Sequence, residues 1–173
     1  MVEQVYESPD IYRIKVTLPD SPLRILNSYV VRHEDEVLII DTGFNQEPCY
    51  ESFMEGIREL DIDPKKASFF ITHLHSDHTG LVCRVTDEQT KIYMSELDYA
   101  YFSGDTVQVY WGKMEDIFRK EGLSESLIEQ QRKVNPARSF APSGIFKAIC
   151  LKDGDEISVG PHKLRMVLTP GHT

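Results

Sequence analysis

Residues 71–80 of this chain read ITHLHSDHTG and hold three of the six histidines in the sequence. His73, His75, Asp77 and His78 follow directly on the short apolar run ASFFI. Histidines at positions i and i+2 of an extended segment project to the same side, so His73 and His75 are able to bind one metal ion together. The stretch predicts a metal site at the end of a strand, and the alternative is a solvated polar turn.

The segments around the histidines show strand patterns and one clear helix pattern. Short apolar and β-branched runs predict strands at residues 11–17, within residues 25–40, and at ASFFITH, KIYMS, FKAICL and HKLRMVLT. Apolar residues spaced three and four apart predict an amphipathic helix over residues 47–60. Strand, helix and strand in succession predict a parallel pair, which places the histidines at the carboxyl end of a strand, where ligand sites gather.

Residues 97–140 differ in kind because helical spacing replaces the strand pattern. A helical face that includes Trp111 is interrupted at Gly122, and Ser124 is a good N-cap for a second helix. We interpret the segment as a helical insertion within a single domain that spans residues 1–173.

The aromatic residues of this segment predict a cover over the metal cleft, because large apolar side chains are common in pocket walls. They are Tyr99, Tyr101, Phe102, Tyr110 and Trp111. Ordinary packing between core helices is the alternative.

Charge and composition narrow the class of partner. The formal net charge of −9 disfavours a nucleic acid or an anionic membrane as partner, since binders of either usually display a basic face. A small-molecule substrate fits better. No stretch approaches the roughly 18 apolar residues of a membrane span, and the N-terminus lacks a signal-peptide pattern, which favours a cytoplasmic location. The three cysteines contain no C-x-x-C pair, so we expect them to be reduced and mostly buried.

The motif THLHSDHTG resembles the H-x-H-x-D-H signature of the metallo-β-lactamase superfamily. The order of the other motifs is similar too: a strand ending in IIDTG comes before the signature, and TPGHT comes after it, so that the matches span residues 38–173. The resemblance implies an α/β (α+β) fold, namely the N-terminal part of a four-layer αββα sandwich that carries the helical insertion.

The resemblance also implies roles for individual residues. His73, His75 and His172 would hold a first metal ion, and Asp77 and His78 would contribute to a second. The metal is expected to be zinc, with two ions in the complete fold and one in this chain, and iron or manganese are the alternatives.

Asp41 of the DTG motif is implied to support the signature loop from the foot of the site, and its alternative role is that of a strand-end turn residue.

Three protein ligands leave an open position for water, and zinc lowers the pKa of that water to about 7, which yields a metal-bound hydroxide. Asp77 is the expected catalytic residue, which the resemblance implies orients this nucleophile through the second metal.

The expected reaction is hydrolysis of an ester, thioester or lactone of a small molecule, similar to that of glyoxalase II-type thioesterases and acyl-homoserine lactonases. Three alternatives stay open: a metal-binding but inactive module, a β-lactamase, and a nuclease of the same superfamily. The acidic charge argues against the nuclease.

The sequence departs from the family pattern after TPGHT. Family members supply a further acidic ligand and a further histidine to the second metal from the segment after this motif, whereas this chain stops at Thr173. We therefore expect a truncated domain, with a natural half-domain as the alternative. We expect this chain to bind at best one metal, to be weakly active or inactive, and to self-associate through an uncovered apolar sheet face.

Overall fold

The computed structural model describes residues 2–19, 21–104 and 106–172, with only the backbone of residues 106–110. Within these residues, seven strands form one mixed sheet whose strand order follows the chain. The first four strands pair antiparallel, and the fourth to the seventh pair parallel. The strands of this sheet are β1 (Val2–Glu7), β2 (Asp10–Thr17), β3 (Ile25–His33), β4 (Glu36–Ile40), β5 (Ser68–Ile71), β6 (Ile92–Ser95) and β7 (Ile149–Leu151).

Helices follow each of the parallel strands β4, β5 and β6, and an antiparallel hairpin follows β7. The hairpin consists of β8 (Glu156–Val159) and β9 (His162–Arg165). The helices are α1 (Glu47–Glu59), α2 (Ser76–Thr79), α3 (Val82–Val85), α4 (Glu96–Ser103), α5 (Thr106–Lys120), α6 (Glu125–Val134) and α7 (Pro136–Ser139).

The main core lies between the sheet and α1. Phe53 and Ile57 of α1 are fully buried and belong to the same cluster as Ile14 of β2 and Phe69 of β5. Gly56 allows the helix to approach the sheet closely, because a Cβ atom at this position would lie 2.4 Å from Cγ2 of Ile14. The amphipathic pattern predicted for residues 47–60 therefore forms the helix that covers this face.

The β8–β9 hairpin covers part of the opposite face of the sheet. Ile157 and Val159 of the hairpin pack with Val31 and Leu38 of the sheet in a second, smaller cluster. Other apolar side chains at the edge of this cluster, including Phe70, are only partly buried. Self-association through this face stays a prediction.

Most elements follow the sequence patterns, with some differences, one of which is that the predicted strand FKAICL forms only the three residues of β7. The predicted parallel pair is confirmed, since β4 and β5 pair in parallel on either side of α1 in the chain. The sequence did not indicate β1, whose residues are mostly exposed and lack an apolar face. The predicted strand HKLRMVLT ends early, because Arg165 lies opposite Glu156, the first residue of its partner β8. Cys150 is exposed, contrary to expectation, since it lies on the edge strand β7.

The segment predicted to be helical contains α4 to α7, as its spacing indicated. Ser124 is the N-cap of α6, and its Oγ accepts a hydrogen bond from the Leu127 backbone N–H at 3.4 Å. The status of residues 97–140 as an insertion, and the extent of the domain over residues 1–173, stay predictions.

Candidate metal centre

The histidine loop leaves the sheet beside the end of a neighbouring parallel strand. β5 ends at Ile71, the next four residues form an irregular loop, and α2 begins at Ser76. Because β4 and β5 are parallel, Asp41, the residue after β4, emerges at the same sheet edge as Thr72. The sheet topology thus brings the DTG motif and the histidine motif together.

Three histidines converge at this edge. The ligand atoms of His73, His75 and His172 all lie within 4.8 Å of one another. Nε2 of His73 is 3.1 Å from Nδ1 of His75. The ring centroid of His172 lies 5.0 Å from that of His73 and 4.7 Å from that of His75. Residues separated by about a hundred positions in the chain therefore form one cluster.

Burial disfavours the charged forms of His73 and His75. Burial, followed by the nearby charges of His78 and His75, lowers the pKa of His73 to about 4. Burial is also the main cause that lowers the pKa of His75. Neutral imidazole is the form that binds a metal ion, so no proton has to be removed from His73 near neutral pH.

The cluster fits a divalent metal ion. Two nitrogens at about 2.0 to 2.1 Å from a tetrahedral zinc ion are about 3.3 Å apart, close to the observed separation between His73 and His75. His172 is exposed and the other two are partly buried, so the cluster has one side open to solvent. Three imidazoles with an open side are typical of a catalytic rather than a structural zinc site.

Asp77 and His78 lie next to this cluster without joining it as ligands of one ion. The ring centroid of His78 lies 4.0 Å from that of His73, with the two ring planes tilted by 49°, and Oδ2 of Asp77 is 3.6 Å from Nε2 of His78. Burial alone would lower the pKa of His78, but the hydrogen bond and charge of Asp41 and the charge of Asp77 outweigh it and raise the pKa. Asp77 and His78, the two residues predicted to contribute to a second metal site, therefore lie next to each other, and His78 is bound to Asp41.

The carboxylate of Asp41 contacts three groups: the backbone N–H of Thr72, the hydroxyl of Thr72 and the ring of His78. One carboxylate oxygen accepts the Thr72 backbone N–H at 2.9 Å, and the other accepts the Thr72 hydroxyl at 2.8 Å. Nδ1 of His78 lies 2.8 Å from the same carboxylate. Asp41 also has a φ of 61°, a left-handed conformation that aspartate tolerates better than most residues. These contacts agree with a supporting role, although that role stays a prediction.

The far end of the loop is held by close backbone contacts with the DTG turn. The His78 carbonyl accepts hydrogen bonds from the backbone N–H and the hydroxyl of Thr42, at 3.0 and 2.8 Å. A Cβ atom on Gly80 would lie 2.4 Å from the Asn45 nitrogen and 2.6 Å from the Gly43 carbonyl oxygen. The glycine of the HTG sequence is therefore required for this approach.

Asp98 is a residue near the site that the sequence patterns did not single out. It is buried in the first turn of α4, and its Oδ1 accepts the Leu74 backbone N–H at 3.1 Å. The available signal was the spacing of Ser95 and Asp98, which is typical of a helix start and does not identify a contact with the histidine loop.

A cavity of about 620 Å³ opens beside the cluster. His73 and His172 line it together with Leu97 and Tyr101 of α4 and Met166 after β9. The cavity is therefore partly apolar and reaches two of the three clustered histidines.

The predicted aromatic cover is formed only in part. Tyr101 lines the cavity, whereas Tyr99 and Phe102 pack against the main core. Trp111 packs under Arg138, whose guanidinium carbon lies 4.5 Å from the ring centroid, and it does not line the cavity. Trp111 therefore contacts a neighbouring helix instead of the cavity, and the side chain of Tyr110 lies outside the described residues.

The fold and the site define an α/β protein with a histidine cluster suited to a metal ion at the carboxyl edge of its parallel strands. The sequence profile of the metallo-beta-lactamase superfamily matches residues 22–173. The chain belongs to the metallo-beta-lactamase superfamily.

Solved structures of the same fold include a metallo-beta-lactamase family protein from Thermus thermophilus. This chain is similar to it with a TM-score of 0.72 and 22% identity, covering 94% of this chain and 52% of that one. BJP-1, a subclass B3 metallo-beta-lactamase of Bradyrhizobium japonicum, has a TM-score of 0.63 and 16% identity, covering 99% of this chain and 53% of that one.

At these identities the likeness concerns the fold, and the large sheet with its helices matches the N-terminal part of the metallo-β-lactamase sandwich. The chain spans about half the length of the structures it matches. Curated protein sequences contain no significant match. None of the helices in the described parts of the chain combines the length and apolar character that a membrane span requires.

Proposed function

We propose that this chain carries the first metal site of a zinc-dependent hydrolase that cleaves an ester, thioester or lactone of a small molecule. The observation that carries the proposal is the convergence of three histidine ligand atoms within 4.8 Å of one another. The cavity beside them and the membership of the superfamily support it.

His73, His75 and His172 would hold the ion. Zinc is the metal we propose because imidazole nitrogen is a suitable ligand for it. Elemental analysis of the purified protein would identify iron or manganese if either were bound instead. When bound, a divalent cation supplies Lewis acidity, which lowers the pKa of water and polarises a carbonyl group.

The other residues of the site position the reacting groups. Asp77 accepts a hydrogen bond from the attacking water and orients it. Its carboxylate is partly buried and adjacent to His78, with 3.6 Å between Oδ2 and Nε2. Asp41 holds His78 in place by direct contact with its ring, and it holds the start of the loop in place by accepting the Thr72 backbone N–H. The apolar part of the cavity wall, with Leu97, receives the hydrocarbon part of the substrate.

Metal content is the first experiment. The purified chain, incubated with zinc and then dialysed, is expected to carry close to one ion, and His75→Ala is expected to remove most of it. His33→Ala is the matched control, because His33 packs against His162 with ring centroids 5.4 Å apart, outside the cluster. Equal metal content in the His75→Ala variant and the unmodified chain would contradict the assignment.

Turnover of a panel of substrates separates the alternatives. We expect hydrolysis of a chromogenic ester, a thioester or a lactone, lost in His75→Ala and retained in His33→Ala. Selective cleavage of a chromogenic β-lactam or of a nucleic acid would replace the proposed substrate class. A metal-loaded chain without turnover on any substrate would indicate the inactive metal-binding module.

A further inference from the structure

Asp98 is a buried carboxylate to which the proposed reaction assigns no role. Only 7% of the residue is exposed. Its carboxylate accepts hydrogen bonds from the Leu74 backbone N–H and the Ser95 hydroxyl. Removing a carboxylate from water costs free energy unless hydrogen bonds compensate, so the partners of this side chain show what it holds in place.

The carboxylate of Asp98 joins α4 to the histidine loop. Oδ1 accepts the Leu74 backbone N–H at 3.1 Å, and Oδ2 accepts the Ser95 hydroxyl at 2.5 Å. The Asp98 backbone N–H in turn donates to Ser95 Oγ at 2.9 Å, which caps the helix. In a capping box the acidic side chain reaches back to the N-cap backbone N–H, whereas here one oxygen reaches a loop 24 residues earlier.

Leu74 lies between the two clustered histidines of the loop, His73 and His75. The loop between β5 and α2 has no strand partner at this position, so its backbone orientation depends on side-chain acceptors. Asp41 accepts the Thr72 N–H on one side of His73 in the chain, and Asp98 accepts the Leu74 N–H on the other side. The backbone N–H groups of the two residues next to His73 in the chain, Thr72 and Leu74, are therefore each bound by a buried aspartate.

We propose that Asp98 is a positioning residue that holds His73 and His75 in the relative geometry needed to bind one metal ion. It acts through the backbone of Leu74, and this role rests on the proposed function of the cluster. The charge-assisted hydrogen bond to Leu74 is stronger than a neutral one, which suits a supporting contact.

Cobalt(II) binding to the full 173-residue chain tests the role, because the visible absorption of cobalt reports both affinity and ligand geometry. Asp98→Ala is expected to weaken cobalt binding about 10- to 100-fold and to alter the absorption spectrum. Asp98→Asn keeps an oxygen that can accept the Leu74 N–H, so it is expected to retain the spectrum and most of the affinity.

Ser95→Ala is the matched structural control. It removes the cap of α4 and one donor to Asp98 but leaves the Leu74 contact in place. We expect it to lower the melting temperature while leaving the cobalt affinity and spectrum close to those of the unmodified chain. A loss of cobalt affinity in Ser95→Ala equal to that in Asp98→Ala would reduce Asp98 to a helix-start residue and overturn the proposal.

Amide hydrogen exchange of Leu74 in the metal-free chain provides a readout that does not depend on metal. Asp98→Ala is expected to speed this exchange, and Ser95→Ala is expected to leave it slow. Cobalt binding that is insensitive to Asp98→Ala would overturn the role of Asp98 alone. Absence of cobalt binding in the unmodified chain would overturn the proposed function, and this role with it.

Discussion

The histidine loop and the helical segment α5–α7 both depend on carboxylates, but they use them differently. In the loop, the buried side chains of Asp41 and Asp98 accept backbone N–H groups of Thr72 and Leu74. In the helical segment, the carboxylate of Glu115 pairs with arginine side chains that are partly or largely exposed. The first arrangement fixes the direction of the backbone, whereas the second joins helices at the surface.

Few of the described apolar side chains in the helical segment are buried. Ile128 is the buried residue of α6, and the described part of α5 contributes Trp111 beside Arg138. Glu115 contacts Nε of Arg132 at 2.7 Å and Nη1 of Arg138 at 3.0 Å, which connects α5 to α6 and α7. Exposed ion pairs contribute little free energy each, so this segment should tolerate substitutions that the loop does not.

The largest effect is expected from Asp41→Ala. It leaves the Thr72 N–H without its acceptor, removes the partner of His78 and places alanine at a φ of 61°. We expect the free energy of unfolding of the metal-free chain to fall by about 3 to 5 kcal/mol, measured by urea denaturation. Asp41→Asn keeps an acceptor oxygen and tolerates this φ, so its loss should be smaller. Equal stability of Asp41→Ala and the unmodified chain would show that the loop is held by other contacts.

Two glycine-to-alanine substitutions compare the histidine loop with the helical segment, because each adds one methyl group. In Gly80→Ala, the Cβ atom would meet backbone atoms of Asn45 and Gly43 at 2.4 and 2.6 Å. The φ of Gly80 is −56°, so the cost is steric rather than conformational. We expect a loss of about 1 to 3 kcal/mol in the free energy of unfolding.

Gly112→Ala in α5 should act in the opposite direction. No described atom lies within 4 Å of a Cβ at this position, and alanine favours a helix over glycine by about 1 kcal/mol. Thermal unfolding of both variants is the measurement, and a shift of the same sign in the two would remove the contrast between the regions.

The smallest effect on stability is expected from Glu115→Gln, and we expect this effect to depend on pH. The hydrogen bond with Arg132, followed by the contact and charge of Arg138, lowers the pKa of Glu115 from 4.5 to about 2. Because the folded-state pKa is depressed, the stabilisation is present above the unfolded-state pKa and is lost as the pH falls through about 2.

Fluorescence of Trp111, the single tryptophan, follows this segment. The difference in melting temperature between the unmodified chain and Glu115→Gln should be largest above about pH 4.5, shrink towards pH 2, and decrease with added salt. A difference that is independent of pH would assign the contribution of Glu115 to packing instead of charge.

Sequence patterns predicted the elements whose contacts are local. The spacing of apolar residues in α1 and the N-cap at Ser124 both appear in the structure. The parallel pair of β4 and β5 is not local, and it was predicted from the order of strand, helix and strand along the chain. The exposed strand β1 was missed because it has no apolar face. Trp111 lies beside Arg138 instead of lining the cavity, and the sequence left both positions open because an aromatic residue on a helix fits a cavity wall and a helix interface equally well.

The sequence by itself determined that His73 and His75 lie two positions apart after a strand, which is sufficient to bring two imidazoles together. The resemblance added His172 as the third member, and the structure places its ligand atom in the same cluster. The roles of all three as metal ligands stay predictions. Local spacing is informative here because adjacent ligands need no long-range contact to meet.

Only the tertiary structure decided which carboxylates hold the loop. The chain contains 28 acidic residues, and nothing in the local pattern separates Asp98 from those that face solvent. The parallel sheet brings the ends of β4, β5 and β6 to one edge, so Asp41 and Asp98 reach Thr72 and Leu74 from 31 and 24 residues away. A hydrogen bond between such distant residues depends on sheet register and burial, which arise only when the whole sheet is assembled.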